Sequence, residues 1–386
     1  MQPSNAGHPL RLAHLVNARS ANVGNGALAD GAEALLGEDL AELAPRFFRE
    51  AWDDYSFGIK AFDKEFVRRM NEDFDGLIVG GAVALNGRHH YANAGMRFDL
   101  PPELWSAFEK PVIFYGISHR HWSNQTYHHD DRLRLALKTL LDRPNIVLAL
   151  RNDGTREWLE RVIGFSDPRI EVIPDTGVFA SATTGVTYPE FSVDKPNVIL
   201  AFNDEDREGR FQKTGQREAI VRNMAKAVEQ LLLEVDANVV IAPHYFDDFR
   251  MIADFIEAMT PRIAHQSMIA CGLSGMAGAA DFYGRYAQAD LVVSMRVHSM
   301  SPSVGLGAPM VPVVTQDRMT DFLDGLDLGD LAIDAFDPDL SNKLLAAMKA
   351  TLADPEAVRS RYLQARAEMR EQIRSFNRRI ARLFAT

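Results

Sequence analysis

Asp290-Leu-Val-Val-Ser-Met-Arg-Val-His-Ser299 runs from a short apolar stretch into two basic side chains. A brief, nearly continuous apolar run is what a parallel strand buried on both faces looks like, so a strand is predicted over Leu291–Ser294. Two residues apart in an extended segment, Arg296 and His298 are expected to point the same way. A turn and a helix start are predicted next, with Pro302 in the first helical turn and Gly305, Gly307 and Pro309 closing a short helix. A fixed cation and a titratable imidazole thus emerge together beyond the carboxyl end of a strand, where open α/β sheets bind their ligands. An isolated histidine is more often structural; its pairing with arginine at this location favours function.

Working outward, similar runs recur. Strands are predicted at Leu12–Val16, Leu77–Val79, Val112–Tyr115, Ile146–Leu150 and Ile170–Ile173. A second series falls at Val198–Phe202, Val239–Ala242, Ile263–Ala270, Leu291–Ser294 and Met310–Val314. Helical periodicity fills many gaps, as at Glu218–Leu233 and Phe249–Met259. Repeated β-then-α order implies parallel sheets with right-handed crossovers. Ala180–Pro196, rich in Ser, Thr, Gly and Pro and without a period, separates the two series and reads as an interdomain linker. The expected fold class is therefore α/β: two Rossmann-like domains, residues 10–185 and 196–340, with parallel sheets facing a central cleft. Residues 341–386 are expected to add C-terminal helices packing back on the body, and residues 1–9 a loose, disordered tail.

The segment Glu356–Phe384 reads as one long helix, with Val358, Tyr362, Ala365, Met369, Ile373, Phe376, Ile380 and Leu383 forming an apolar stripe at spacings of three and four. Its other face carries eight arginines against three glutamates. Two readings stand: a helix packed onto a domain, or a basic amphipathic helix in peripheral contact with an anionic membrane surface.

Of the 386 residues, 46% are hydrophobic and 25% charged, the composition of a soluble globular protein long enough for two cores. A formal net charge of -11 argues against broad nucleic-acid binding, which needs a basic surface. It leaves room for a small anion held by a local cluster of arginines. The single cysteine, Cys271, rules out an intrachain disulfide and fits a reducing compartment. No apolar stretch reaches the roughly 18 residues of a membrane span, and Met1–Pro9 lacks the layout of a signal peptide. A cytoplasmic location is expected.

Four further motifs follow strands. Asn22-Val-Gly-Asn-Gly-Ala-Leu-Ala-Asp30 opens a helix. Gly24 and Gly26 permit close backbone approach, Asn22 and Asn25 offer side-chain hydrogen bonds, and the helix start favours an anion or a sugar hydroxyl. A plain strand-to-helix turn explains the motif as well. Gly80-Gly81 either leaves room for a ligand or makes a tight turn. Gly116-Ile-Ser-His-Arg-His-Trp122, just past a strand, brings His119, Arg120 and His121. With His128, His129 and Asp130 it suggests a metal site, but the spacing matches no standard zinc pattern, and a polar wall or plain surface explains it better. Arg151-Asn-Asp-Gly-Thr155 puts a guanidinium at a strand end, for bidentate binding of phosphate or carboxylate or for an ion pair with a neighbouring carboxylate.

Taken in order, Asn22/Gly24/Asn25, Gly80/Gly81, Arg151 to Asp153, Ser294/Arg296/His298 and Gly307/Pro309 resemble the motif set of the polysaccharide pyruvyl transferase family, over roughly residues 11–330. Three positions depart: Val297 within Arg-x-His, Asn25 where the family often has Asp, and Arg318 where it often has a lysine. The resemblance implies a GT-B-type fold, with an acceptor-side N-terminal and a donor-side C-terminal domain. It implies transfer of the enolpyruvyl unit of phosphoenolpyruvate to a sugar or glycan precursor, leaving a pyruvyl ketal. On it, His298 is the general acid, and Arg296 and Arg151 grip the donor's phosphate and carboxylate. Asn22, Gly24, Asn25, Gly80, Gly81, His119, Ser294, Ser299 and Arg318 complete the substrate-binding set. The chemistry needs neither metal nor redox cofactor. The rivals are a glycosyltransferase using a nucleotide sugar on the same scaffold, and a non-catalytic sugar-binding relative; fold alone does not separate them.

Overall fold

The computed structural model describes residues 8–87 and 89–385. Residues 1–7 of the expected tail lie outside them. Two compact units emerge: the first takes the chain up to Arg19, then Leu28–Thr176 and everything from Met369 on; the second takes Ser20–Ala27 and Gly177–Glu368. The division expected from sequence was 10–185 against 196–340. Here residues 20–27, with Asn22 to Gly26, and residues 177–185 go with the second unit, residues 341–368 stay with it, and the last helix ends in the first.

The first unit is built on β1 (Arg11–Val16), β2 (Arg46–Ala51), β3 (Gly76–Gly80), β4 (Val83–Asn86), β5 (Val112–Arg120), β6 (Ile146–Arg151) and β7 (Glu171–Ile173). All pairs are parallel, in the order β2-β1-β3-β5-β6-β7, with β4 alongside β5. Alternate residues from Ala13, Leu15, Leu77, Val79, Val112 and Phe114 meet Phe66, Leu133 and Leu137 in one core. On the other face, the Tyr115 hydroxyl donates to Asn377 of the helix Pro355–Phe384, and Tyr115 packs on its Phe376.

The second unit holds β8 (Asn197–Ala201), β9 (Asn238–Ile241), β10 (Met268–Ala270), β11 (Leu291–Ser294), β12 (Met310–Val314) and β13 (Ile333–Asp334). Their order is β10-β9-β8-β11-β12-β13, again all parallel. Val198, Leu200, Leu291 and Val293 pack against Val228, Leu231, Phe255 and Leu344 of the covering helices.

Several expectations are corrected. Ile263–Ala270 is not one strand: Thr260-Pro261 starts the helix Pro261–Ser267, and only Met268–Ala270 is extended. The edge strand β2 was missed because its residues are largely exposed and show no buried run. Ala180–Pro196 is no free linker: Tyr188 is buried, its hydroxyl donates to the Asp281 carbonyl, and the Arg285 guanidinium lies over its ring. The apolar stripe of the last helix is buried from Val358 to Ile380. Its arginines 359, 361, 370, 374 and 379 pair with Glu356, Asp330, Asp39, Glu371 and Glu171. Among the described residues no helix is long and apolar enough to cross a membrane.

Candidate active site

In the second sheet the strand order reverses between β8 and β11, and open α/β sheets bind their ligands beyond the carboxyl ends of the strands at such a switch point. Phe202–Glu205 leaves β8 there and Met295–His298 leaves β11. The two loops are joined: Met295 N–H donates to the Ala201 carbonyl (2.9 Å) and Asn203 Nδ2 to the Met295 carbonyl (3.3 Å).

Arg296 sits at the N-cap of the helix Val297–Leu306 with an extended backbone, φ −138 and ψ 137. Each edge of its guanidinium meets an acceptor. Nε donates to the Phe202 carbonyl (2.9 Å), Nη2 pairs with Asp248, and Nη1 reaches Glu205 at 3.4 Å. Burial opposes its charge; Asp248 first and Glu205 second more than offset that, so the group stays cationic. The contacts are unequal: the Asp248 side chain is 0% exposed, that of Glu205 19%. Ser294 shapes this turn, its hydroxyl donating to the Arg296 carbonyl (3.0 Å) and accepting from the Arg296 N–H (3.3 Å).

His298 lies in the first helical turn and is half-buried. The sequence reading put both basic residues in one extended segment and Pro302 at a helix start; instead the helix begins at Val297 and Pro302 lies inside it. Proline has no N–H to donate four residues back, so the His298 carbonyl loses its helical partner. The Tyr283 hydroxyl donates to that carbonyl instead, at 2.7 Å. On the imidazole's other side stands Gly24, where a Cβ would overlap Nδ1, Cγ and Cβ of His298. A side chain of this protein is by itself enough to require glycine there. Gly26 in turn faces the Met276 carbonyl too closely for any side chain.

Asn22 is the N-cap of the helix Val23–Asp39, its Oδ1 accepting from the Gly24 N–H at 3.0 Å. Asn25 is half-buried and makes no side-chain hydrogen bond within the described residues. Ser299 is buried, its hydroxyl 3.1 Å from the Tyr286 hydroxyl. Arg318 is the second residue of the helix Asp317–Asp324 after β12 and is half-buried. The second unit therefore brings Asn22, Gly24, Asn25, Ser294, Arg296, His298, Ser299 and Arg318 into one body.

Arg151, Gly80, Gly81 and His119 belong to the first unit. There the order reverses between β1 and β3, so Gly80 and Gly81 stand at its switch point. Gly81 has φ +60 and its carbonyl accepts from Arg151 Nη2 at 3.0 Å. A Cβ on Gly80 would lie 2.7 Å from Nε2 of His14. Arg151 is in the ion pair that the sequence left as one alternative: Nη1 is 3.3 Å from Asp175 and 3.9 Å from Asp153. His119 is not in a loop past a strand. β5 continues to Arg120 across an irregularity at Gly116, because the unforeseen β4 pairs with it. Its ring stacks on Trp158 (4.8 Å, 11°) and meets the Thr155 hydroxyl at 3.0 Å. That hydroxyl donates to Asp153, which also accepts from Ser118.

Sequence reasoning missed His244 and Asp248, although Ala242-Pro-His-Tyr-Phe-Asp-Asp248 follows a buried strand as the chosen motifs do. Asp248 Oδ2 accepts from the His244 and Tyr245 N–H groups, both at 2.9 Å, while Oδ1 holds Arg296.

Two doubly wound parallel sheets, the second with Arg296 and His298 at its switch point, make this a GT-B-type α/β protein. The chain is similar in fold to three solved structures. A UDP-N-acetylglucosamine 2-epimerase, so described, from Listeria monocytogenes is 12% identical with a TM-score of 0.51, over 92% of this chain and 91% of that one. A glycosyltransferase from Rickettsia africae ESF-5 is 10% identical with a TM-score of 0.52, over 98% and 99%. The S. aureus MnaA-UDP co-structure is 13% identical with a TM-score of 0.51, over 92% and 91%. No curated protein matches the chain by sequence. The sequence profile of the polysaccharide pyruvyl transferase family matches residues 22–317, and the chain belongs to that family.

Proposed function

We propose that this protein transfers the pyruvyl unit of phosphoenolpyruvate to two hydroxyls of a sugar in a glycan precursor, with His298 as general acid and Arg296 as the anchoring cation. The observation that carries the reading is a half-buried imidazole two residues from a charged guanidinium, at the switch point of the second sheet. His298 protonates the methylene carbon of the donor, and the neighbouring carbon becomes oxocarbenium-like. One sugar hydroxyl attacks that carbon and loses its proton. The carbon–oxygen bond to phosphate then breaks, and a second hydroxyl closes the ketal and releases its proton. Histidine, titrating near neutrality, gives and takes these protons. The donor's anion displaces Glu205, the longer and more exposed of the Arg296 carboxylate contacts, while Asp248 and the Phe202 carbonyl hold the guanidinium still. Arg296 then stabilises charge as phosphate departs.

The test is phosphate release from phosphoenolpyruvate with nucleotide- or lipid-linked sugars as acceptors, alongside calorimetric titration of the donor. No release with any acceptor and no donor binding sinks the reading. Thermal protection by UDP or GDP, with none from phosphoenolpyruvate, turns it to a nucleotide-sugar glycosyltransferase.

A further inference from the structure

We propose that His244 is a positioning residue that sets the His298 imidazole for proton transfer; this rests on His298 being the proton donor. Three connections run from His244 to the turn carrying Arg296 and His298. Its N–H donates to Asp248, whose other oxygen holds Arg296. Its carbonyl accepts from the Val23 N–H at 3.2 Å, and the next residue, Gly24, is the one pressed against His298. Its ring Nε2 lies 2.7 Å from the Tyr286 hydroxyl, which lies 3.1 Å from the hydroxyl of Ser299, the residue after His298.

The ring is fully buried, edge-on to Phe282 at 4.9 Å. Burial first, and then the charges of Arg296 and His298, hold it well below the usual histidine range, so it is neutral. A neutral imidazole carries one donor and one acceptor. With the Tyr286 hydroxyl kept protonated by burial, the chain His244–Tyr286–Ser299 is complete in either hydrogen-bond direction. Since Pro302 removes the helical partner of the His298 carbonyl, the turn relies on Tyr283 and on this chain to stay in place. Nδ1 has no partner within the described residues, so the ring's connection into the site runs through Nε2 alone.

The experiment compares His244→Leu, His244→Gln and Tyr286→Phe with wild type. A displacement of the order of an ångström costs about 100-fold in rate. His244→Leu and Tyr286→Phe are each expected to lower kcat by roughly 10- to 100-fold, with donor KM changed less than about threefold. His244→Gln, whose amide reaches the Nε2 position, is expected to restore most of the loss. The double variant His244→Leu/Tyr286→Phe should be no slower than the worse single one, because both cut the same chain. Additive losses, a shift in KM instead of kcat, or equal damage from Leu and Gln overturns the proposal. The His298 ring resonances, followed by NMR through a pH titration, separate the two ideas. Resonances moved by Tyr286→Phe in a protein that never releases phosphate refute the transferase reading and keep the positioning one. Unmoved resonances and unchanged kcat in an active enzyme do the reverse.

Discussion

Arg296 and Arg151 occupy similar places: each is the arginine at or just past the carboxyl end of a parallel strand, and each is paired with two acidic side chains. Their surroundings differ. Around Arg151, the side chains of Asp153 and Asp175 are both 0% exposed, and Gly81 takes a further N–H. Around Arg296, one partner is equally buried but the other, Glu205, is partly open to solvent. A buried charge deprived of its partner is costly, whereas one facing water is readily exchanged. The first arrangement is therefore a closed brace, the second a brace with one exchangeable side. Type and position along a strand do not tell these apart; the third neighbour does.

The comparison is broken most directly by removing the cations. Arg151→Ala leaves two buried carboxylates stranded and is expected to lower unfolding stability by about 3–5 kcal/mol or more, read as the urea midpoint. Arg296→Ala strands Asp248 and should cost somewhat less, but should also abolish donor binding in calorimetry. An Arg151→Ala midpoint equal to wild type would refute the closed brace. Next in size, His298→Asn is expected to lower turnover by roughly 10²- to 10⁴-fold with the urea midpoint unmoved; wild-type turnover would remove His298 from the mechanism. Smaller still, Glu205→Gln withdraws the carboxylate that competes with the donor and should lower donor KM by about two- to fivefold at low salt. A raised KM would show instead that Glu205 helps to hold the donor.

A further prediction concerns a charged cluster in the first unit. Burial alone would raise the Glu33 carboxyl, but hydrogen bonds from His14 and Arg49 bring it down to about 2. Its folded value lies below its unfolded one, so the stabilisation is present above the ordinary carboxylate range and fades as pH falls toward 2. Glu33→Gln should flatten that part of the stability–pH curve; an unchanged slope would mean the cluster contributes nothing.

Much of this was legible in the residues. Nine of the ten expected strands lie where their apolar runs are, because a strand buried on both faces has few other compositions open to it. Strand β2, with no buried residue, and β4, with only Ala84 and Leu85 buried, gave no such signal. The Asn22 motif opens a helix after a strand, as its residues announce, but its glycines answer to His298 and Met276, 250 or more positions on. No local pattern contains that neighbour. His244 escaped notice for the same reason: its significance lies in Tyr286, Asp248 and Val23, none of which its own segment announces except Asp248.

By itself, the order of residues determined two parallel α/β sheets, the family, and the arrival of Arg296 and His298 past the end of one strand. Apolar periodicity and the chemistry of strand ends are local properties, readable within a few residues. Only the tertiary structure decided that the Asn22 turn belongs with the second sheet, that Arg151 is enclosed, and that Arg296 keeps one open side. Those outcomes depend on burial and, for Arg296, on charge partners that folding brings from 48 and 91 positions away, and the energy of a charge is set by such neighbours rather than by its place in the chain.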